Sequence, residues 1–580
     1  MMISRRLSRI HNLSLATLEQ NLTTAGPRRA YSLQAGPMAS RESDRWRFFH
    51  QILSLSGVSG RSASQSSASS AGSGSSQPHS EDESPGFYFG ASDKSNGLRR
   101  KSTIDDEARV ISLLKEILAY QDSNMSNWII ESKVKALCAA YSYLLKPHKE
   151  GFLKVLACEY AVDHDAVRRA AEQMAQLHEE ENFSKQFMKI EEKLKNSLTP
   201  QYSWLFMHVG RMERGVKFLV DLRTDALDLI SQLDPLDPST VSMQRLNNTL
   251  RELLSMWFSV GFLAVERVTW KSSCEMLQKI SEYEAVHPVR SWTDLKRRVG
   301  MYRRCFVYTH NSMPDEPIVV LHIALCDEIS SSMAGIVASA SRMSGDASAS
   351  DVGLLGVRPD SEDPSLVKSA VFYSISSTQK GLKGIELGNY LIKRAAQEIQ
   401  AEFPQISQFS TLSPIPGFRS WVYDKLKAAD RGENEVLTPE EEVAVQRILG
   451  RQWPSELQRL LKSNAWLEDS DLVVFLQEPL MRLCARYLYL EKHRSAALNG
   501  VANFHLKNGA VMWRINWHAD LSPRGLGNSC GIMVNYRYYL DETEANSRNY
   551  LEHHKINASE QVVQLAASAE RLLTQLTSKM

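Results

Sequence analysis

Apolar residues recur at three- and four-residue intervals from Ile104 to about Trp257. Val110, Ile111, Leu114, Ile117 and Leu118 form one set, and Val134, Leu137, Ala140, Tyr141 and Leu144 another. That spacing lines one face of a helix, so 104–257 is expected to be an all-helical domain. Pro147 is expected to stop the second of these helices. Asp163 or Asp165 is expected to cap a later one, whose apolar stripe is Val167, Ala170, Ala171 and Met174. No catalytic constellation stands out in this region, and packing or oligomerisation is its expected role.

After Trp257 the period changes. Gly261–Thr269 reads as a strand, Ser272-Ser273-Cys274-Glu275 as a capping box opening a helix through Tyr283, and Ser291-Trp292-Thr293-Asp294 as the start of another helix. Cys305–Thr309 and Ile318–Cys326 read as two strands of a hairpin, joined by the turn-rich Asn311–Pro317. A strand at Ala370–Ser376, a loop at Ser377–Lys383, a helix from about Glu386 to Glu402 and a strand at Gln408–Leu412 follow. A helical insertion fills about 420–493. Strands return at Val511–Trp517 and Gly531–Tyr538, and a helix at about Ser559–Leu576 comes last. The expected class is α+β: the helical domain, then a mixed α/β domain over 258–580.

Composition narrows the function. Lys and Arg total 68 against 67 Asp and Glu, so the whole chain carries no electrostatic footprint for nucleic acid. The clusters Lys296, Arg297, Arg298 and Arg303, Arg304 read as solvated helix and strand ends. Seven scattered cysteines, without a CxxC pair, indicate neither a disulfide framework nor a zinc site. No apolar run reaches membrane-spanning length. Residues 1–103 read as a leader and linker. The first 36 residues carry five arginines and one acid, Glu19, the pattern of an organellar transit peptide. Ser dominates Arg61–Pro85, which is expected to be disordered. Ser341–Pro364 reads as a mobile loop. The last three residues, Ser578-Lys579-Met580, differ by one from a peroxisomal address.

The most informative local feature is the strand, Gly- and Lys-containing loop and helix spanning Ala370–Asn389. A helix N-terminus offers unpaired N–H groups and a positive dipole end. Glycines allow close backbone approach to a phosphate, and Lys380 and Lys383 add charge. The glycine spacing is neither Walker nor Rossmann. Downstream, Leu412-Ser413-Pro414-Ile415-Pro416-Gly417-Phe418 holds a serine hydroxyl on a stiff loop, without the GxSxG elbow of a hydrolase. His505 and His518 are both candidate acid–base residues.

These stretches, in order, resemble the malonyl-CoA decarboxylase family. The resemblance is carried by His287–Gly300, Tyr302–Cys305, Val319–His322, Phe372–Ser376, Gly384–Gly388, Leu412–Phe418, Pro479–Cys484, Glu491–Arg494 and Ala502–His505. It covers roughly Ile104 to Met580. It implies a helical domain followed by a GNAT-like catalytic domain and a homotetramer. The activity implied is conversion of malonyl-CoA to acetyl-CoA and CO2 without metal or organic cofactor, with an acyl-CoA-dependent acyltransferase of GNAT-like fold as the alternative. It places the malonyl-CoA-binding loop on Lys383, Gly384, Ile385, Glu386, Leu387, Gly388 and Asn389, the catalytic serine on Ser413 and the catalytic histidine on His505. His518 loses ground, because similar animal sequences lack a histidine there. Animal members can join subunits through two cysteines; the first resembles Cys274, but Asn311 stands at the second position, so redox-controlled assembly is not expected. The implied compartment is the mitochondrial matrix, with a peroxisomal or cytoplasmic pool as the other possibility. No nucleic-acid or membrane partner is expected.

Overall fold

The computed structural model describes residues 104–121, 123, 125–176, 185–259, 262–343, 362–385 and 387–577. The leader and linker, most of the Ser341–Pro364 loop, Glu386 and the last three residues lie outside them.

Among the described residues eight helices come first: α1 (Ile104–Leu118), α2 (Asn127–Ser142), α3 (Lys146–Glu159), α4 (His164–Ala175), α5 (Lys185–Ser197), α6 (Gln201–Gly210), α7 (Gly215–Ile230) and α8 (Pro238–Trp257). The periodic stripes point inward: Val110, Leu114 and Ile117 of α1 and Val134, Leu137 and Tyr141 of α2 are buried. Pro147 does not stop α2, which ends at Ser142. It sits in the first turn of α3, where a missing N–H costs no helical bond. Asp163 is the cap of α4, accepting from the Asp165 and Ala166 N–H groups at 2.9 and 3.0 Å. Of the α4 stripe only Ala170 is fully buried.

The remaining chain alternates strands and helices: β1 (Leu263–Val268), α9 (Cys274–Tyr283), α10 (Trp292–Arg298), β2 (Arg303–His310), β3 (Val319–Cys326), α11 (Met333–Met343), β4 (Ser369–Ser377), α12 (Gly388–Glu402), β5 (Gln408–Thr411), β6 (Ser413–Pro414), α13 (Phe418–Asp430), α14 (Pro439–Leu449), α15 (Trp453–Ser463), α16 (Ser470–Ala485), a hairpin of β7 (Lys492–His493) and β8 (Ala496–Ala497), α17 (Gly500–Lys507), β9 (Val511–Asn516), α18 (Pro523–Ser529), β10 (Met533–Tyr538), α19 (Thr543–His553) and α20 (Glu560–Thr577). Helices α13–α16 are the helical insertion. The main sheet runs β1-β2-β3-β4-β5-β10-β6, with β9 also on β10. Its pairs are antiparallel except β4 with β5, which run parallel. A strand, a loop, a helix and a parallel strand beside the first form a βαβ unit within this otherwise antiparallel sheet.

Two local readings change. Ser273, not Ser272, caps α9, accepting from the Met276 N–H at 3.2 Å; the Ser272 hydroxyl accepts from the Thr269 N–H instead. Arg303 and Arg304 are not solvated ends, because β2 is buried along its whole length. Arg304 is held between Glu362 and Glu402, each at 2.6 Å, and Arg303 donates to the carbonyls of Tyr302 and Ile336. Periodicity marks buried apolar positions, but it cannot see a cation buried with its counter-ions.

The helical region shares its core with the sheet region: Tyr308, Val319, Leu382 and Leu387 pack among its apolar side chains. Among the described residues no helix is long and apolar enough to cross a membrane.

Candidate active site

Strand β4 leads into a short 3-10 turn, Lys380–Leu382, and then to α12, which opens at Gly388. Gly384 has φ +79° and open space where a Cβ would stand, so the backbone there needs glycine for its conformation. Lys383 and Gly384 are exposed, Ile385 is half-buried and Leu387 is buried. Lys380 is exposed and ion-paired with Asp228, and Lys383 also faces solvent.

Beside β4, strand β5 pairs as far as Phe372 with Thr411, and the Leu412 N–H bonds the Phe372 carbonyl at 3.0 Å. Strand β4 continues to Ser377 without β5 alongside, so the two strands part there. At Leu412 the chain bends from β5 into β6. Strand β10 spans this bend, pairing Arg537 with Ser410 on one side and Val534 with Ser413 on the other. Beyond it, the Pro416 carbonyl accepts from the Tyr487 hydroxyl at 3.1 Å and the Asn499 amide at 3.0 Å. Gly417, at φ +84°, opens α13. The serine loop is thus fixed by the sheet on one side and, on the other, by α13, the π-helical turn Arg486–Leu490 that follows α16, and the N-cap of α17.

His505 lies in the last turn of α17, a helix capped by Asn499. Its Nε2 is 3.1 Å from Ser413 Oγ, 92 residues away in sequence. Its Nδ1 is 2.8 Å from the Tyr538 hydroxyl, and its ring stacks on Tyr536 at 4.5 Å and 23°. Ser413 Oγ also lies 2.9 Å from Thr411 Oγ1, which in turn accepts from the Tyr536 N–H at 3.1 Å. The Asn535 amide holds the Thr411 carbonyl at 2.6 Å. Ser413 is 5% exposed and His505 3%.

Burial pushes the His505 imidazole down to about 3, so the ring is neutral at ordinary pH. Burial also raises the Tyr538 phenol well above its usual range, so it stays protonated. A buried hydroxyl hydrogen needs an acceptor. With Tyr538 donating to Nδ1, Nε2 carries the hydrogen, donates to Ser413, and Ser413 donates to Thr411. Every bond in the chain is then used once.

His518 does not join this group. It stacks on Trp517 at 4.5 Å and lies tilted against Trp466 at 5.8 Å, at φ +50°. Sequence reading missed Thr411, Tyr536 and Tyr538. The signal was present in Met533–Tyr538: alternation puts Val534, Tyr536 and Tyr538 on one face, and a buried tyrosine seeks a polar partner. Among the described residues no group of three or more His, Cys, Asp or Glu side chains is placed to hold a metal ion.

The family model of the malonyl-CoA decarboxylase C-terminal domain matches residues 261–576, and that of the N-terminal domain matches 160–258. The chain belongs to the malonyl-CoA decarboxylase family. It is 46% identical over 421 residues to the mitochondrial malonyl-CoA decarboxylase of Anser anser anser, covering 72% of this chain and 80% of that one. To the Mus musculus protein of the same name it is 47% identical over 414 residues, 71% of this chain and 80% of the relative. The crystal structure of malonyl-CoA decarboxylase from Rhodopseudomonas palustris superposes with a TM-score of 0.64 at 28% identity, covering 79% of this chain and 98% of that one. The buried Ser413–His505 contact therefore sits in a family whose named members act on malonyl-CoA.

Proposed function

We propose that this protein decarboxylates malonyl-CoA to acetyl-CoA and CO2, with Ser413 and His505 at the malonyl group and Lys383–Asn389 holding coenzyme A. The observation that carries this reading is the buried 3.1 Å contact between Ser413 Oγ and His505 Nε2, in a chain whose curated relatives bear that activity in their names.

The chemistry fits the groups present. When the carboxylate leaves as CO2, the electron pair of the broken C–C bond passes into the thioester carbonyl, giving an enolate. Fixed donors stabilise the developing oxyanion, and the Ser413 hydroxyl becomes one when its hydrogen turns from Thr411 Oγ1 to the substrate. The enolate carbon then takes a proton, so each turnover consumes one from solvent. His505 is suited to deliver it. Burial keeps the ring neutral in the free site, and an incoming carboxylate favours the imidazolium. The Tyr538 hydroxyl partners both states, donating to Nδ1 of the neutral ring and accepting from Nδ1–H of the charged one. The thioester is its own electron sink, so the residues named here account for the reaction. The parting of β4 and β5 supports passage of the acyl arm from the loop to Ser413.

A mitochondrial location follows the names of the relatives; a peroxisomal or cytoplasmic pool would rest on the terminal residues alone. Within the same proposal the chain forms a homotetramer. Large apolar side chains left exposed on the helical region, among them Trp128, Tyr143 and Leu236, are what a subunit interface would cover. The test of the activity is to supply purified protein with malonyl-CoA and no acceptor. Acetyl-CoA and CO2 are expected in equal amounts. Turnover that appears only when an amine or hydroxyl acceptor is added would make the protein an acyltransferase instead.

A further inference from the structure

The helical region reaches the loop that precedes α12. Val220, Thr224 and Asp228 recur every four residues on one face of α7, and Arg223 lies beside them. Gly381 is seated against this face so closely that an added Cβ would stand 1.9 Å from the Val220 carbonyl oxygen. Asp228 pairs with Lys380. Leu382 and Leu387 are buried in the core of the helical region. The Arg223 side chain, 2% exposed, donates from Nη1 to the Gly381 carbonyl at 2.5 Å and from Nη2 to the Lys383 carbonyl at 2.9 Å. Its Nε donates to Asn247 Oδ1 of α8 at 3.0 Å.

All three acceptors are neutral oxygens. A buried guanidinium is ordinarily matched by a carboxylate, because an uncompensated charge away from water is costly. Here the charge is retained directly behind a loop that ends at a helix N-terminus, and Arg251 adds to the positive field around it. Burial, and then Arg251, lower the Arg223 guanidinium to about 10, which leaves it charged at neutral pH. An anion on the far side of the loop would complete the pairing. Turning the Gly381 and Lys383 carbonyls toward Arg223 also keeps their negative ends away from that anion.

We propose that Arg223 is a positioning residue for coenzyme A. It holds the Gly381 and Lys383 carbonyls inward and places a positive charge behind the loop, so that the helical region sets the affinity for the phosphate-bearing end of the substrate. This rests on the reading of Lys383–Asn389 as the coenzyme A loop. It gives the helical region a part in substrate binding in addition to packing and assembly.

The test uses the full-length protein, with steady-state kinetics on malonyl-CoA and calorimetric titration of free coenzyme A. Arg223→Met is expected to raise KM and weaken coenzyme A binding by at least about tenfold, while kcat stays within about threefold. Arg223→Lys, which keeps the charge but can reach fewer carbonyls, should fall between. Gly381→Ala, which pushes the loop off α7 and leaves the charge in place, should also raise KM. If Arg223→Met does not fold, Arg223→Lys and Gly381→Ala carry the test, and normal KM in both overturns the proposal. A folded Arg223→Met with unchanged coenzyme A affinity, or with kcat falling as far as kcat/KM, reduces Arg223 to a structural role. Gly384→Leu separates the two levels of the argument. If Gly384→Leu weakens coenzyme A binding and Arg223→Met does not, only the role of Arg223 fails. If neither does, the loop assignment fails with it.

Discussion

The Tyr538 hydroxyl stands 2.8 Å from His505 Nδ1, on the side of the ring opposite Ser413. Both tyrosines that frame the imidazole come from β10, one stacked on its face and one bonded to its edge. Because β10 also pairs with β6 through Ser413, a single strand fixes the serine and the histidine relative to each other. Tyr538→Phe removes the bond to Nδ1 and frees the ring to take the other tautomer. Turnover is expected to fall at least about tenfold with KM little changed, and stability by about 1–2 kcal/mol. Kinetics and urea denaturation of the same preparation would check both.

His505 also ties stability to pH. Its folded value, about 3, lies below the roughly 6.5 of an unfolded histidine. Between these values the unfolded chain binds a proton that the native site refuses. The stabilisation is therefore present above about pH 6.5 and is lost as pH falls toward 3, by about 1.4 kcal/mol per unit from this group. His505→Gln should show a shallower acid decline than the unaltered protein when urea midpoints are compared from pH 7.5 to 5. Parallel curves would mean that the histidine is not held neutral.

Arg304 makes a prediction that concerns folding alone. Its 2%-exposed guanidinium joins Glu362 and Glu402, and the Phe403 ring lies 5.3 Å away. Arg304→Leu leaves two partly buried carboxylates facing each other. A loss of about 3–5 kcal/mol is expected, read as a fall in Tm, with kcat of the surviving folded protein retained.

At Gly384 the structure shows open space and φ +79°. Gly384→Ala should therefore cost about 1 kcal/mol of backbone strain without a steric clash, and raise KM for malonyl-CoA more than it lowers Tm. A Tm loss with unchanged KM would place the loop outside the binding site.

Much of the fold could be read from the sequence because its elements are long and periodic. The stripes of α1 and α2 repeat a clear helical spacing, and the β2–β3 hairpin and the run from β4 through α12 to β5 stand out as apolar runs set off by turn residues. Less legible were α17, α18 and α19, at 8, 7 and 11 residues too short for periodicity to separate them from loops. His505 rides on one of these. Its distance of 92 residues from Ser413 meant that family likeness, not spacing, singled it out from His518. Thr411, Tyr536 and Tyr538 were missed for a related reason, although alternation puts the two tyrosines on one face. Each looks like ordinary strand composition until β10 is known to pair with both β5 and β6. Arg223 was hidden further still, since nothing in a helical stripe announces that its buried cation faces carbonyls more than 150 residues away.

The central claim is that Ser413 and His505 act together on the malonyl group, and a double-mutant cycle on kcat for acetyl-CoA formation tests it most directly. Ser413→Ala and His505→Ala should each lower turnover by at least about a hundredfold. The double variant should be slower than either single one by less than about tenfold, because groups that act as a unit are not multiplicative. His518→Ala should stay close to the unaltered rate. A His505→Ala protein with full activity, or losses that multiply across the pair, would contradict the account.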